Sequence, residues 1–237
     1  MYVANWKMNN PSSSVREWID IVSSSKRIEK CILCPPSTLL EQIKKIKSKQ
    51  NLPLTLGAQD VDPNIETSLT GGISAKMLKE FSCEYVIVGH SERRDFYKEG
   101  SDLLFKKVSS TLLEGLKVIF CIGESKEERD SGLKNNILSE QLKAISKILT
   151  KDVIIAYEPV WAIGSGETPS FEEINQTNNF LIKKLISFGL KQDDIKILYG
   201  GSVNSSNSED ILHLENVSGL LIGGASLDGA EFLKIIG

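Results

Sequence analysis

Glu158 stands where a carboxylate can do chemistry. It follows Val153-Ile154-Ile155-Ala156, a short and mostly β-branched apolar run of the kind buried in a parallel sheet. Pro159 comes next. Proline biases the residue before it toward extended geometry and has no N–H for a sheet ladder, so the strand stops and the acid is left at its carboxyl end. Val160-Trp161-Ala162-Ile163 then leads into Gly164-Ser165-Gly166. An apolar segment between a proline and two glycines has the make-up of a lid that moves on two hinges and excludes water. An acid beneath a lid is a candidate general base. The plainer alternative is a solvated glutamate on a surface loop.

Other reactive types follow other apolar runs. Asn5 and Lys7 come after Tyr2-Val3-Ala4, and His90 and Glu92 after Tyr85-Val86-Ile87-Val88-Gly89. At a strand end, Lys7 would hold a fixed positive charge over a site mouth, although most lysines are simply solvated. His90 is either reactive or a hydrogen-bonded core histidine. Glu92 faces Lys7 or a substrate, or joins Arg93 and Arg94 in ion pairs. Gly200-Gly201-Ser202 and Gly223-Gly224 would let backbone N–H groups approach an anion without side-chain obstruction, and the helices after them add positive dipole ends. The alternative is ordinary tight turns.

The elements that must position these groups repeat. Strands are expected at Tyr2–Ala4, Cys31–Cys34, Leu54–Gly57, Tyr85–Gly89, Val118–Ile122, Val153–Ala156, Ile195–Tyr199 and Gly219–Ile222. Helical apolar faces lie between them: Val15, Trp18, Ile19 and Val22; then Leu40, Ile43 and Ile46 behind Ser37 as N-cap; then a short helix from about Ser74 to Phe81. Leu104, Val108 and Leu112 mark the next helix, and one running to about Leu149 follows. Ser170 with Glu173 forms a capping box, Asn204 begins a short helix, and a last one carries Phe232, Leu233 and Ile236. Eight βα units in 237 residues predict one α/β domain over residues 1–237, a closed (β/α)8 barrel. An open doubly wound sheet would show a glycine fingerprint after its first strand, and Asn5-Trp6-Lys7 is not one. In a barrel, loops after the seventh and eighth strands form a frequent phosphate site, which favours the anion reading of the two glycine turns.

Composition narrows the partners. Net charge is -3, which makes no electrostatic case for nucleic acid or an anionic membrane. No apolar run approaches the roughly 20 residues of a membrane span, and no secretory segment is read at the amino terminus. Cys31 and Cys34 have CxxC spacing, but strand residues separate them and no histidine is near, so neither a metal nor a redox site is expected. Reduced thiols in a cytoplasmic protein are the simpler expectation.

Six stretches, in this order, resemble the triosephosphate isomerase family: ANWKMN (4–9), VIVGHSERR (86–94), CIGE (121–124), AYEPVWAIGSG (156–166), YGGSV (199–203) and Gly223-Gly224. The resemblance spans essentially the whole chain and implies a TIM barrel. It implies the interconversion of dihydroxyacetone phosphate and glyceraldehyde 3-phosphate, a step of glycolysis and gluconeogenesis, without metal or organic cofactor. It implies Glu158 as base and His90 as electrophile, with a neutral imidazole whose pKa a helix N-terminus lowers; the family is the known example of that effect. Asn5 and Lys7 hold substrate, and Gly164, Ser202, Gly223 and Gly224 hold phosphate. Glu92 and Cys121 support the site. A homodimer through the 60–73 loop is also implied. Two departures stand out: Glu167 where lysine is common, which changes charge at the lid hinge, and Gly72 where glutamate is usual, which removes an interface carboxylate. The rival readings are another phosphosugar isomerase or epimerase on this barrel, and a non-enzymatic binding barrel.

Overall fold

The computed structural model describes residues 1–64, 67–164 and 167–237. Its eight strands are β1 (Tyr2–Asn5), β2 (Cys31–Cys34), β3 (Thr55–Ala58), β4 (Cys83–Val88), β5 (Lys117–Ile122), β6 (Val153–Tyr157), β7 (Ile197–Tyr199) and β8 (Gly219–Ile222). They pair in chain order, all parallel, and β8 returns to β1 with Leu220 opposite Tyr2. The closure follows from the side chains. Alternate residues point to opposite faces of a strand, and here both sets are apolar. Val3, Ile32, Ile87, Ile119, Ile154, Leu198 and Leu221 fill the barrel interior. Their neighbours Ala4, Leu33, Val86, Val118, Phe120, Ile155 and Leu220 belong to a second, larger core that includes the inner faces of the helices.

The helices are α1 (Val15–Val22), α2 (Leu40–Gln50), α3 (Ala75–Glu80), α4 (Ser91–Phe96), α5 (Ser101–Leu113), α6 (Lys126–Asp130), α7 (Lys134–Lys143), α8 (Phe171–Ser187), α9 (Ser208–Leu212) and α10 (Gly229–Ile236). Ser14 and Ser74 cap α1 and α3, and the Ser170–Glu173 capping box opens α8. Three expectations are corrected. The helix drawn to Leu149 is instead α6, α7 and a 3-10 turn at Ser146–Ile148, because Gly132 adopts φ 71° and ends the first piece. Ser37 caps nothing; a 3-10 turn over Ser37–Leu39 enters α2 without a side-chain cap. Asn204 does not begin a helix: its Oδ1 accepts from the Ser206 N–H at 2.9 Å in a local turn, and α9 starts four residues later. All four cysteines are buried and free.

Candidate active site

The carboxyl ends of the strands surround a cavity of about 380 Å³. Asn5, Lys7, His90, Glu158, Gly164, Gly200, Gly201, Ser202, Gly223 and Gly224 all line it. The structure therefore brings the expected reactive residues and the expected glycine turns to one place. Ser165 and Gly166, the far side of the expected lid hinge, lie outside the described residues.

Glu158 directly follows β6 and is 2% exposed. Its N–H donates to the Ile122 carbonyl at 2.8 Å, so the β5–β6 ladder fixes its backbone. A Cβ on Gly200 would lie 2.7 Å from Glu158 Cγ, so a glycine at the end of β7 is what leaves room for the acid. Oε1 accepts from His90 Nε2 at 3.1 Å. Oε2 is buried with no hydrogen-bond partner among the described residues. Such an oxygen is costly to bury, and costs of this kind persist where function uses them. Burial pushes the Glu158 pKa up, but His90, the Cys121 thiol and Lys7 outweigh it and hold the carboxyl below its ordinary value. Cys121 itself is fully buried beneath the site, and burial raises its thiol pKa well above normal.

His90 is the N-cap of α4. Its Nδ1 accepts the Glu92 N–H at 3.3 Å. That bond needs a lone pair on Nδ1, so the neutral ring carries its proton on Nε2 and aims it into the cavity. The lowered pKa that the resemblance implies is not what this arrangement gives. Burial does oppose the imidazolium, but the Glu158 carboxylate against Nε2 overcomes it, and the pKa is raised.

Lys7 has φ 51°, a left-handed backbone that side chains rarely adopt. The Asn5 Oδ1 accepts the Lys7 N–H at 3.0 Å, and Gln59 Nε2 donates to the Lys7 carbonyl at 2.8 Å and to the Cys34 carbonyl at 2.9 Å. Three strands thus hold one strained residue. Lys7 Nζ meets Glu92 Oε1 at 2.6 Å, which places Glu92 on Lys7.

The two arginines of the HSERR stretch separate. Arg93 pairs with Asp60 at 2.7 Å and Glu99 at 2.8 Å, and Lys107 joins both acids at 2.6 Å. This network ties the start of the 60–73 segment to α4 and α5. Arg94 instead donates to the Gly89 and Cys121 carbonyls at 2.7 and 2.9 Å, with its guanidinium over the Phe120 ring. It fastens the residue before His90 to the floor beneath Glu158. Nothing in the sequence distinguished Arg94 from Arg93, and Gln59 carried no signal at all.

After Pro159 the chain forms a 3-10 turn, Val160–Ala162. Trp161 Nε1 donates to Glu124 Oε1 at 3.0 Å, and the Tyr157 hydroxyl reaches the same oxygen at 3.1 Å. Arg129 lies 4.2 Å from the centre of the Trp161 ring. Ser202 Oγ donates to the Ala162 carbonyl at 2.5 Å, joining the loop after β7 to this turn.

A family model described as triosephosphate isomerase matches residues 1–237. Curated relatives match over nearly the whole length of both chains. The triosephosphate isomerase of Lawsonia intracellularis is 41% identical over 246 residues, covering 100% of this chain and 96% of that protein. That of Bartonella bacilliformis is 41% identical over 242 residues, covering 99% and 94%. That of Alkaliphilus oremlandii is 41% identical over 244 residues, covering 98% and 96%.

Proposed function

The chain belongs to the triosephosphate isomerase family, and we propose that the groups lining the cavity divide that reaction as follows. Dihydroxyacetone phosphate and glyceraldehyde 3-phosphate differ in the position of one carbonyl and one hydrogen. The Glu158 carboxylate takes a proton from the carbon beside the carbonyl. The His90 Nε2–H donates to the carbonyl oxygen, where negative charge develops. The enediolate then receives the proton at the neighbouring carbon, and His90 moves the proton between the two oxygens. No atom enters or leaves, and the carboxylate is regenerated. Asn5 and Lys7 hold the substrate, with the Lys7 ammonium offsetting the enediolate charge. Glu92 orients Lys7, and Cys121 supports the carboxylate from below. Gly164, Ser202, Gly223 and Gly224 hold the phosphate. The turn after Pro159 keeps water from the enediolate, which would otherwise expel phosphate. We read residues 1–237 as one catalytic domain that needs no metal or organic cofactor.

The observation that carries this reading is a single cavity lined by a cation, an imidazole, a buried carboxylate and two glycine turns. A larger sugar phosphate is not favoured, because nothing in its chemistry would require Lys7, His90 and Glu158 together. The partner we propose is a second copy of the chain, joined through residues 60–73. Met8 is 94% exposed, Phe96 76% and Tyr97 69%, around a groove that also includes Lys7, Gln59 and Glu92. Leu69 is an exposed apolar residue on the segment that would enter it. Among the described residues, no helix is long and apolar enough to cross a membrane. Four buried, reduced cysteines suit the cytoplasm we propose as its location.

The test is a coupled assay with glyceraldehyde 3-phosphate, run in chelator without added cofactor. Wild type should form dihydroxyacetone phosphate rapidly. Glu158→Asp, whose carboxylate is withdrawn by about 1 Å, should lose about 10²-fold in turnover with substrate binding retained. A folded wild type without turnover would overturn the reading.

A further inference from the structure

We propose that Trp6 and Trp18 form a two-indole clamp that positions the Gly223–Gly224 turn, and so tunes the affinity of the site for the phosphate group. The inference rests on the phosphate role of that turn proposed above. Both indole N–H groups donate to one acceptor, the carbonyl of Ser226: Trp6 Nε1 at 3.1 Å and Trp18 Nε1 at 2.9 Å. Trp6, Trp18 and Ser226 are all fully buried. Ser226 in turn gives both its N–H, at 2.8 Å, and its hydroxyl, at 2.6 Å, to the Gly223 carbonyl. These last two bonds close residues 223–226 on themselves but fix them to nothing else. The indoles, together with the Ser12 N–H that donates to the Leu227 carbonyl at 2.9 Å, tie this turn to the rest of the fold. Both indoles come from the other end of the chain, Trp6 just beyond β1 and Trp18 from the middle of α1.

The two indoles meet edge to face with centroids 5.1 Å apart, and Trp18 packs on Phe232 of α10 at 5.4 Å. A buried indole N–H needs some acceptor; two that choose one carbonyl, in the turn bordering the cavity, do more than satisfy themselves. Trp6 also immediately precedes Lys7. Trp6 and Trp18 act through the Ser226 carbonyl and are positioning residues.

The experiment measures competitive inhibition by inorganic phosphate, and turnover of both glyceraldehyde 3-phosphate and unphosphorylated glyceraldehyde. It compares wild type, Trp6→Phe/Trp18→Phe and Phe232→Leu. The double variant leaves the buried Ser226 carbonyl without either donor. It should weaken phosphate inhibition about tenfold and raise KM for glyceraldehyde 3-phosphate in step, the size expected for two lost hydrogen bonds felt through a turn. Its kcat/KM for glyceraldehyde should stay at the wild-type value, since only the phosphate grip has changed. Phe232→Leu loosens the same aromatic cluster without touching Ser226 and should bind phosphate like wild type. Should the double variant not fold, Trp18→Phe alone should weaken phosphate about threefold. Unchanged phosphate inhibition in whichever Trp variant folds would overturn the clamp, as would an equal loss in Phe232→Leu or a parallel loss of glyceraldehyde turnover. A wild type that phosphate does not inhibit would instead overturn the phosphate role of the turn, and the clamp with it.

Discussion

On the flank of the cavity formed by β4, β5 and β6, His90 and Glu158 present ionisable side chains at 3.1 Å from each other. On the flank formed by β7 and β8, Gly201, Gly223 and Gly224 present backbone. The first flank is specified by side-chain type and by what surrounds each charge: a glycine that makes room for Glu158, a backbone N–H that fixes the His90 tautomer, an arginine that ties the two strand ends together. The second is specified by where the chain itself runs, and is held by distant bonds to the Ser226 carbonyl. Damage to the first should therefore appear in the chemical step, and damage to the second in phosphate binding.

The largest effect expected is that of Glu158→Gln. Removing the base should lower kcat by about 10³- to 10⁴-fold while KM moves only a few-fold. An equal rise in KM would break the separation of the flanks. The same variant sharpens the electrostatic picture. Burial alone lowers the His90 pKa, and the carboxylate is what raises it. With the charge gone the imidazolium loses its partner, so the pKa must fall relative to wild type. Histidine resonances followed by NMR across a pH titration would show this, and an unmoved pKa would mean that Glu158 is not the controlling charge.

Next in size is Gly200→Ala. Its methyl group would lie 2.7 Å from Glu158 Cγ and must push the carboxylate aside. A displacement of about 1 Å should cost about 10²-fold in kcat. Phosphate inhibition should be unaffected, because the displaced group belongs to the reaction flank. If phosphate binding fell instead, Gly200 would belong with the other glycines.

The contrast also explains what was legible in the sequence. The barrel could be read because its strands are continuous apolar runs of the right length, closed by glycine, proline or a polar residue. Their edges moved by a residue or two, as at Thr55–Ala58 and Ile197–Tyr199, since propensity does not fix where a ladder ends. Glu158, His90 and Lys7 stood out because charged groups at strand ends are chemically conspicuous. Their supports did not. Gln59 matters only because Lys7 takes a left-handed backbone, and no residue near Lys7 in sequence announces that. Arg94 differs from Arg93 only in which carbonyls the fold brings to it. The Trp6–Trp18 pair reads as two core aromatics until the chain closes and sets both beside Ser226. Bonds spanning more than two hundred residues leave no local pattern.

Gly224→Ala tests the second flank directly. A Cβ there meets no protein atom within 4 Å, so the space it occupies is taken from the ligand rather than from the fold. Thermal stability and glyceraldehyde turnover should be nearly unchanged. Inhibition by inorganic phosphate should weaken about tenfold, equivalent to about 1.4 kcal/mol. Lost stability with intact phosphate binding would mean that the turn serves the fold alone.

The smallest effect expected is the most informative about how the flanks communicate. Ser202 belongs to the loop after β7, yet its Oγ donates across to the Ala162 carbonyl, in the turn that follows Glu158. Ser202→Ala removes that one bond, worth about 1 kcal/mol net. It should raise the phosphate inhibition constant about threefold. If kcat is untouched, the bond belongs to the phosphate grip and the flanks act independently. If kcat falls by the same factor, phosphate held by the β7 loop also holds the turn over Glu158, and Ser202 is the link through which binding on one side prepares chemistry on the other.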